Sequence, residues 1–236
     1  MRLFCVLCIV AIICSGCHGG GSDPGSPGEI DAMRAREQAN VKLLPVRVNG
    51  KVGFIDRSGR LVVQPQFDSS RGFREGRGLI CVGGCSAPGG SSGAKYGYID
   101  ETGKIVINPQ YDAAEPFVEG LAAVCAGDCG YSSETRKWGF INKDGAMVIP
   151  AQFGKVVQFH GGLAAVCVGK CTGYGADFVG KWGLITRDGK FAVNPQFDET
   201  GLLAIGGIME VTVGKGAEAK KGYVDDKGNY IWQPSR

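Results

Sequence analysis

Six of the ten cysteines in this 236-residue chain recur in a fixed pattern: Cys81 with Cys85, Cys125 with Cys129, and Cys167 with Cys171. Each pair is C-x-x-x-C with glycine in the middle of the spacer, at Gly83, Gly127 and Gly169. Paired thiols can bond to each other, ligate zinc or exchange electrons. Four residues of extended chain span about 13 Å, while a disulfide tolerates only about 7 Å between Cα atoms. Each segment must therefore turn at its glycine if its pair is to close. A structural zinc site takes four thiolate or imidazole ligands in a tetrahedron, but six thiolates divide badly into fours. His18 and His160 are the only histidines that could make up the sets. A thiol-redox pair is the other competitor, although the spacing is not C-x-x-C and no βαβ pattern surrounds it. The expectation is three local disulfides, with no metal and no cofactor. By loop entropy each five-residue ring contributes about 2 kcal/mol, enough to pin a loop but not to hold a fold.

Other chemistry is sparse, and no catalytic residue is expected. His160 lies in Phe159-His160-Gly161, where other copies of the same segment carry Arg74 or Val118, so it is expected to be a solvated turn residue. No serine sits in a G-x-S-x-G strand-to-helix context. The run Ser86 to Gly93 lacks the Gly-Lys-Ser/Thr ending of a phosphate loop. Asp68, Asp112 and Asp198 recur at turns, where local bonding of the side chain to the backbone explains them. Trp138 and Trp182 follow lysines at strand starts and are expected to pack rather than to form a sugar platform.

The elements that position these residues are repeats. Lys51-Val-Gly-Phe-Ile-Asp aligns with segments beginning at Lys95, Lys137 and Lys181, and a truncated fifth begins at Lys220. Each opens with an apolar, aromatic and β-branched strand. Next comes Asp56-Arg-Ser-Gly59, matched at Asp100 to Gly103, Asn142 to Gly145, Thr186 to Gly189 and Asp225 to Gly228. That spacing predicts a type I turn with a glycine bulge, hence a hairpin. The returning strand is expected to end at a proline step such as Gln64-Pro65-Gln66-Phe67, since proline removes a ladder donor. A third strand such as Leu121-Ala-Ala-Val124 follows.

These motifs together resemble the WG or KWG repeat family of bacterial β-repeat proteins over roughly Val41 to Pro234. Trp is kept only at Trp138 and Trp182, with Val52, Tyr96 and Lys221 at the matching positions. The resemblance implies an exported interaction domain and no reaction. The fold expected is all-β: about five three-stranded antiparallel sheets, at residues ~41–64, ~78–108, ~121–150, ~163–194 and ~208–233, forming a propeller-like ring or a curved β-solenoid. From the first-cysteine position to the next lysine the steps are 4, 14, 12, 14 and 8 residues. The shortest holds Asn49-Gly50, a two-residue hairpin turn, so the longer ones are insertions at one edge. Insertions on one face of a repeat array are often its binding face, and Tyr131, Tyr174 and Phe178 are the expected ligand contacts there.

The composition is consistent with this. Gly numbers 40 of 236, far above the usual ~7%, which opposes a mostly helical protein. A formal net charge of +3 with both signs scattered leaves no footprint for nucleic acid. At the N-terminus, Met1-Arg2 and the twelve apolar residues from Leu3 to Cys14 are too short to span a bilayer and predict a signal peptide over residues 1–16. Cys14-Ser-Gly-Cys17 resembles a bacterial lipobox, with Cys14 where Leu is usual, which implies lipidation at Cys17. Residues 17–40 are expected to be a lipid-anchored Gly-rich tether, with a possible short helix from Glu29 to Asn40, ahead of a repeat domain at 41–236. The expectation is a lipid-anchored protein of the bacterial envelope, in the periplasm or at the cell surface. In a Gram-negative cell His18 after the anchor implies the outer membrane. The domain is expected to bind protein or act as a scaffold, with an envelope protein or glycan as partner. A carbohydrate or cell-wall module is the alternative, and a thiol-redox protein follows.

Overall fold

Each lysine leads an apolar run into an Asp-to-Gly turn, and these hairpins form as their residue types demand. The computed structural model describes residues 42–85, 93–127, 129, 133–171, 179–204 and 208–235. The first sheet is β1 (Leu44–Val48), β2 (Lys51–Ile55) and β3 (Leu61–Phe67). The second holds β4 (Ser69–Arg74), β5 (Arg77–Val82), β6 (Lys95–Ile99) and β7 (Ile105–Tyr111). The third holds β8 (Ala113–Ala114), β9 (Leu121–Ala126), β10 (Lys137–Asn142) and β11 (Met147–Phe153). The fourth holds β12 (Lys155–Val156), β13 (Leu163–Val168), β14 (Lys181–Thr186) and β15 (Phe191–Phe197). In the fifth, β16 (Glu199–Ala204), β17 (Ile208–Val213), β18 (Lys220–Val224) and β19 (Tyr230–Ser235) follow in order. Neighbouring strands are antiparallel throughout.

The all-β array of antiparallel sheets is as expected, but four of the five sheets have four strands rather than three. Asp68 is the only residue between β3 and β4, and its N–H donates to Cys81 O at 2.9 Å. The crossover therefore starts pairing with the next sheet at once. Asp112, Gly154 and Asp198 make the same bond to Cys125, Cys167 and Thr212.

The proline step also differs from expectation, because the returning strand runs through it to the aromatic. Trp138 pairs with Phe153 and Phe140 with Ile149, so four residues of β11 pass two of β10 in a wide bulge. Proline sits on the bulged stretch, where its missing donor leaves no ladder bond unmade. The bulge folds over the strand glycine: a Cβ on Gly139 would lie 2.6 Å from Ile149 O and 2.7 Å from Ala151 N. Glycine follows the Trp position because backbone passes there. The hairpin turns form as expected, with Gly59 at φ 82° and Asp56 Oδ1 accepting from the Ser58 N–H at 2.9 Å and the Arg60 N–H at 3.0 Å.

The core lies between successive sheets. Phe54, Val63 and Phe67 of the first sheet meet Ile80 and Ile99 of the second. Tyr98 and Ile107 meet Phe117, Val124 and Ile141 of the third, Phe140 and Phe153 meet Phe159, Val166 and Ile185 of the fourth, and Leu184 and Val193 meet Met209 and Val224 of the fifth. A sheet that is apolar on both faces cannot stand alone, so each stacks on its neighbours. Among the described residues no helix is long and apolar enough to cross a membrane.

Candidate functional site

β5, β9 and β13 each carry a cysteine at one register position. Cys81 lies opposite Tyr96, Cys125 opposite Trp138 and Cys167 opposite Trp182. The glycine two residues on then reverses the chain, with φ 87° at Gly83, 93° at Gly127 and 92° at Gly169. A side chain there would be strained. The reversal brings the paired Cα atoms to 6.1, 6.1 and 6.2 Å, and Cys81–Cys85, Cys125–Cys129 and Cys167–Cys171 are disulfide-bonded. The first cysteine of each pair is buried, and so is Cys171. Cys85 and Cys129 are half-buried, and the three bridges brace the roots of the three long loops. At the same register the first sheet has Arg47 and the fifth Thr212. The first sheet closes directly through Asn49 and Gly50, at φ 49° and 79°.

A carboxylate ties the loop root of the second, third and fifth sheets to the preceding sheet, and the fourth sheet has Gly154 at that position. Asp68 accepts from the Lys51 ammonium of β2 and, on its other oxygen, from the Gly84 N–H at 2.9 Å. Asp112 takes Lys95 Nζ at 2.6 Å and the Gly127 N–H at 2.8 Å. Asp198 takes Lys181 Nζ at 2.7 Å and the Gly214 N–H at 3.0 Å. The Gly84 amide, with Lys51, holds the Asp68 carboxyl below its ordinary value. Burial pushes Asp198 up, but Lys181 and the Gly214 amide outweigh it and leave it lowered. The three aspartates are therefore long-range staples, not the locally bonded turn residues expected from sequence. The signal was present as a Lys-to-Asp spacing of 17 in three copies.

The opposite edge carries a second ladder that the sequence reading missed. Glu75 accepts from the Glu119 and Gly120 amides at 2.7 and 2.9 Å, and Glu119 accepts from Gly161 and Gly162 at 2.6 and 2.8 Å. Each carboxylate caps the amides of the next sheet's turn. Burial pushes Glu75 up, and the Gly120 amide with Lys143 brings it below its ordinary value. A repeat of 44 residues between the two glutamates was the available sign.

Among the described residues no group of three or more His, Cys, Asp or Glu is placed to hold a metal ion. His160 is exposed in its turn, and its N–H donates to Leu163 O at 2.8 Å. Trp138 and Trp182 are half-buried against the cores, Trp182 also against the Cys167–Cys171 bridge. The Tyr98 hydroxyl is buried and donates to Glu115 O at 2.7 Å. Tyr131, Tyr174, Phe178 and Cys17 lie outside the described residues. What the arrangement supplies is a row of braced loop roots locked sheet to sheet. The profile of the family described as WG containing repeat matches residues 53–84, 96–128, 138–170 and 182–203, together about half of the chain. Among curated proteins none matches.

Proposed function

The chain belongs to the WG containing repeat family, and from that premise we propose that it is a bacterial envelope lipoprotein whose repeat domain is a protein-binding or scaffold module with no reaction of its own. Residues 1–16 are removed as a signal peptide, Cys17 carries the lipid, and residues 17–40 tether the domain 41–236 in the periplasm or at the cell surface. The observation that carries the reading is the row of braced loop roots, three leaving one register of successive sheets and each disulfide-closed. A rigid root lowers the ordering cost that a long loop incurs on binding.

The loop sequences favour a protein partner. They are rich in small residues, and two of the three carry a single tyrosine, in Gly130-Tyr131-Ser132-Ser133 and Thr172-Gly173-Tyr174-Gly175. That composition combines aromatic anchors with adaptable polar contacts, as in antibody loops. Tyr131, Tyr174 and Phe178 are the contacts. A flat sugar platform beside the braced loops would need open tryptophan faces there, but Trp138 and Trp182 pack against the cores, and the exposed Trp232 lies on β19 rather than in a braced loop.

The test is affinity capture from envelope extracts with the unlipidated mature domain and a Tyr131→Ala, Tyr174→Ala, Phe178→Ala variant, alongside peptidoglycan and glycan arrays. A protein retained by the first and lost by the second supports the reading. Glycan binding without a protein partner overturns it in favour of the cell-wall module. Radioactive palmitate should label the chain, and a Cys17→Ala variant that stays anchored would sink the lipoprotein claim.

A further inference from the structure

The outward face of the fifth sheet leaves two core positions exposed. Tyr223 pairs with Trp232 there, as Phe54 pairs with Val63, Tyr98 with Ile107, Phe140 with Ile149 and Leu184 with Val193 in the earlier sheets. Those eight counterparts are no more than 5% exposed and pack against the next sheet. Tyr223 is 40% exposed and Trp232 61%. Among the described residues no core cluster takes in either ring.

The same face carries a fixed ion pair. Glu210 stands where the fourth sheet has Ala165, and Lys221 where it has Trp182. The Glu210 carboxylate accepts from Lys221 Nζ at 2.8 Å and from the Tyr223 hydroxyl at 3.2 Å. The bond from Lys221 holds that carboxyl below its ordinary value, so it is ionised and only accepts. Glu210, Tyr223 and Trp232 are successive partners across β17, β18 and β19. At about 4.8 Å between strands the row is about 10 Å long, with two aromatic side chains toward one end and the ion pair at the other.

This mixture selects among ligands. An apolar protein surface laid on it would bury the ion pair and strip its hydration. A polyanion would meet Glu210 and also Glu199, which lies on the same face opposite Thr212. A pyranose ring suits both halves, because its C–H face stacks on aromatic rings while its hydroxyls replace water on the ion pair. A carboxylate has about four lone-pair sites and an ammonium three protons, so Glu210 keeps acceptors and Lys221 keeps donors after bonding each other. We propose that the outward face of the fifth sheet binds a neutral β-1,4-linked polysaccharide, its rings stacked on Trp232 and Tyr223 and its hydroxyls bonded to Glu210 and Lys221. Such a chain is an extended ribbon of flat rings, the shape that an open sheet face accepts. The site belongs to the one four-stranded sheet with no cysteine pair, so it does not rest on what the braced loops contact.

Titration of the whole unlipidated mature chain with the β-1,4-linked tetramers of N-acetylglucosamine and of glucose, read by indole fluorescence and calorimetry, tests this. At least one should bind, at least about tenfold more tightly than the α-1,4-linked glucose tetramer. Trp232→Ala should weaken binding at least about tenfold, as loss of an aromatic anchor does, and Trp232→Tyr should keep most of it. Glu210→Ala should also weaken it about tenfold, through loss of a charged hydrogen-bond partner. Trp232 is exposed, so its substitution leaves the fold intact. The Tyr131→Ala, Tyr174→Ala, Phe178→Ala variant should bind the sugar as the native chain does, which separates this site from the loop reading. Failure of both β-linked tetramers to bind overturns the proposal, as does binding that survives Trp232→Ala or is lost only in the loop variant. Self-association or capture of a protein that Trp232→Ala abolishes, with no sugar bound, would give the face to a second copy or a protein partner and also overturns it.

Discussion

Replacing Gly97 with alanine tests why the repeat keeps a glycine in its first strand. The added Cβ would lie 2.5 Å from Ile107 O, 2.6 Å from Pro109 N and 2.8 Å from Asn108 C. Side-chain carbons do not approach heavy atoms closer than 3.0 Å, so the bulge of β7 must lift by about 0.5 Å. Overpacking costs about 1–3 kcal/mol even where side chains can yield. All three of these neighbours are backbone, so no rotamer change relieves them. Lifting the bulge also weakens the Tyr96–Tyr111 pairing beyond it, at about 1 kcal/mol per ladder bond. Alanine recovers about 0.5–1 kcal/mol through the unfolded chain. The net expectation is a loss of about 3 kcal/mol. Gly59→Ala is the control: it is open, with nothing within 4 Å, and has φ 82°, so it should cost only about 1–2 kcal/mol for the left-handed backbone. Urea unfolding at 25 °C with disulfides intact, followed by aromatic fluorescence, reads both. Equal losses in the two variants would refute the close-approach argument and leave only a general glycine effect.

Four further outcomes are expected. Replacing Cys81 and Cys85 with alanine should cost about 2 kcal/mol and speed exchange at Gly83 and Gly84 while β6 and β7 stay protected; global unfolding would contradict the local role. Asp198→Asn should cost about 1.5 kcal/mol, since it removes a charge-assisted bond to Gly214 and a half-exposed ion pair, and the Gly214 amide should exchange faster in the same sample. Lowered carboxyls at Asp68, Glu75 and Asp198 mean that the folded chain binds fewer protons than the unfolded one. Their stabilisation is complete above about pH 5, beyond the unfolded carboxyl values, and is lost as pH falls through the folded values; a urea midpoint unchanged from pH 7 to 3 would contradict this. Glu119→Gln should raise exchange at Gly161 and Gly162 and leave Gly120 unchanged, because Glu75 caps Gly120.

The sequence made legible whatever repeats inside one hairpin. The Asp56-to-Gly59 turn and the C-x-x-x-C spacing are local, so residue type and spacing specify them without tertiary help. In the third and fourth sheets the added strand was hidden because Ala113–Ala114 and Lys155–Val156 are two residues long and show no alternation, while the six-residue β4 and β16 are broken by Gly72 and Gly201. The pairing of the two short strands follows from the one-residue step at Asp112 or Gly154, which commits the chain to the next sheet before composition can register it. The staples were hidden for another reason. Asp68 looks like a turn residue from its neighbours alone, and its partners lie 17 residues before it and 16 after.

Copy three shows that the staple and the disulfide compete for one space. Where the other copies have aspartate it has Gly154, and a Cβ there would lie 2.7 Å from Cys171 Cβ and 2.8 Å from its Sγ. The second sulfur has moved into the volume that Asp68 and Asp112 occupy in their copies. Accordingly Cys171 is 2% exposed while Cys85 and Cys129 are only half-buried. With no carboxylate present, the neighbouring sheet holds on through Arg136, whose Nε donates to Gly154 O at 2.9 Å, a bond that needs only the backbone. The first two loops are thus rooted by charge and the third by packing. The same register is kept by two physical means, which is what the position would require if the roots must stay fixed whatever the loops contact.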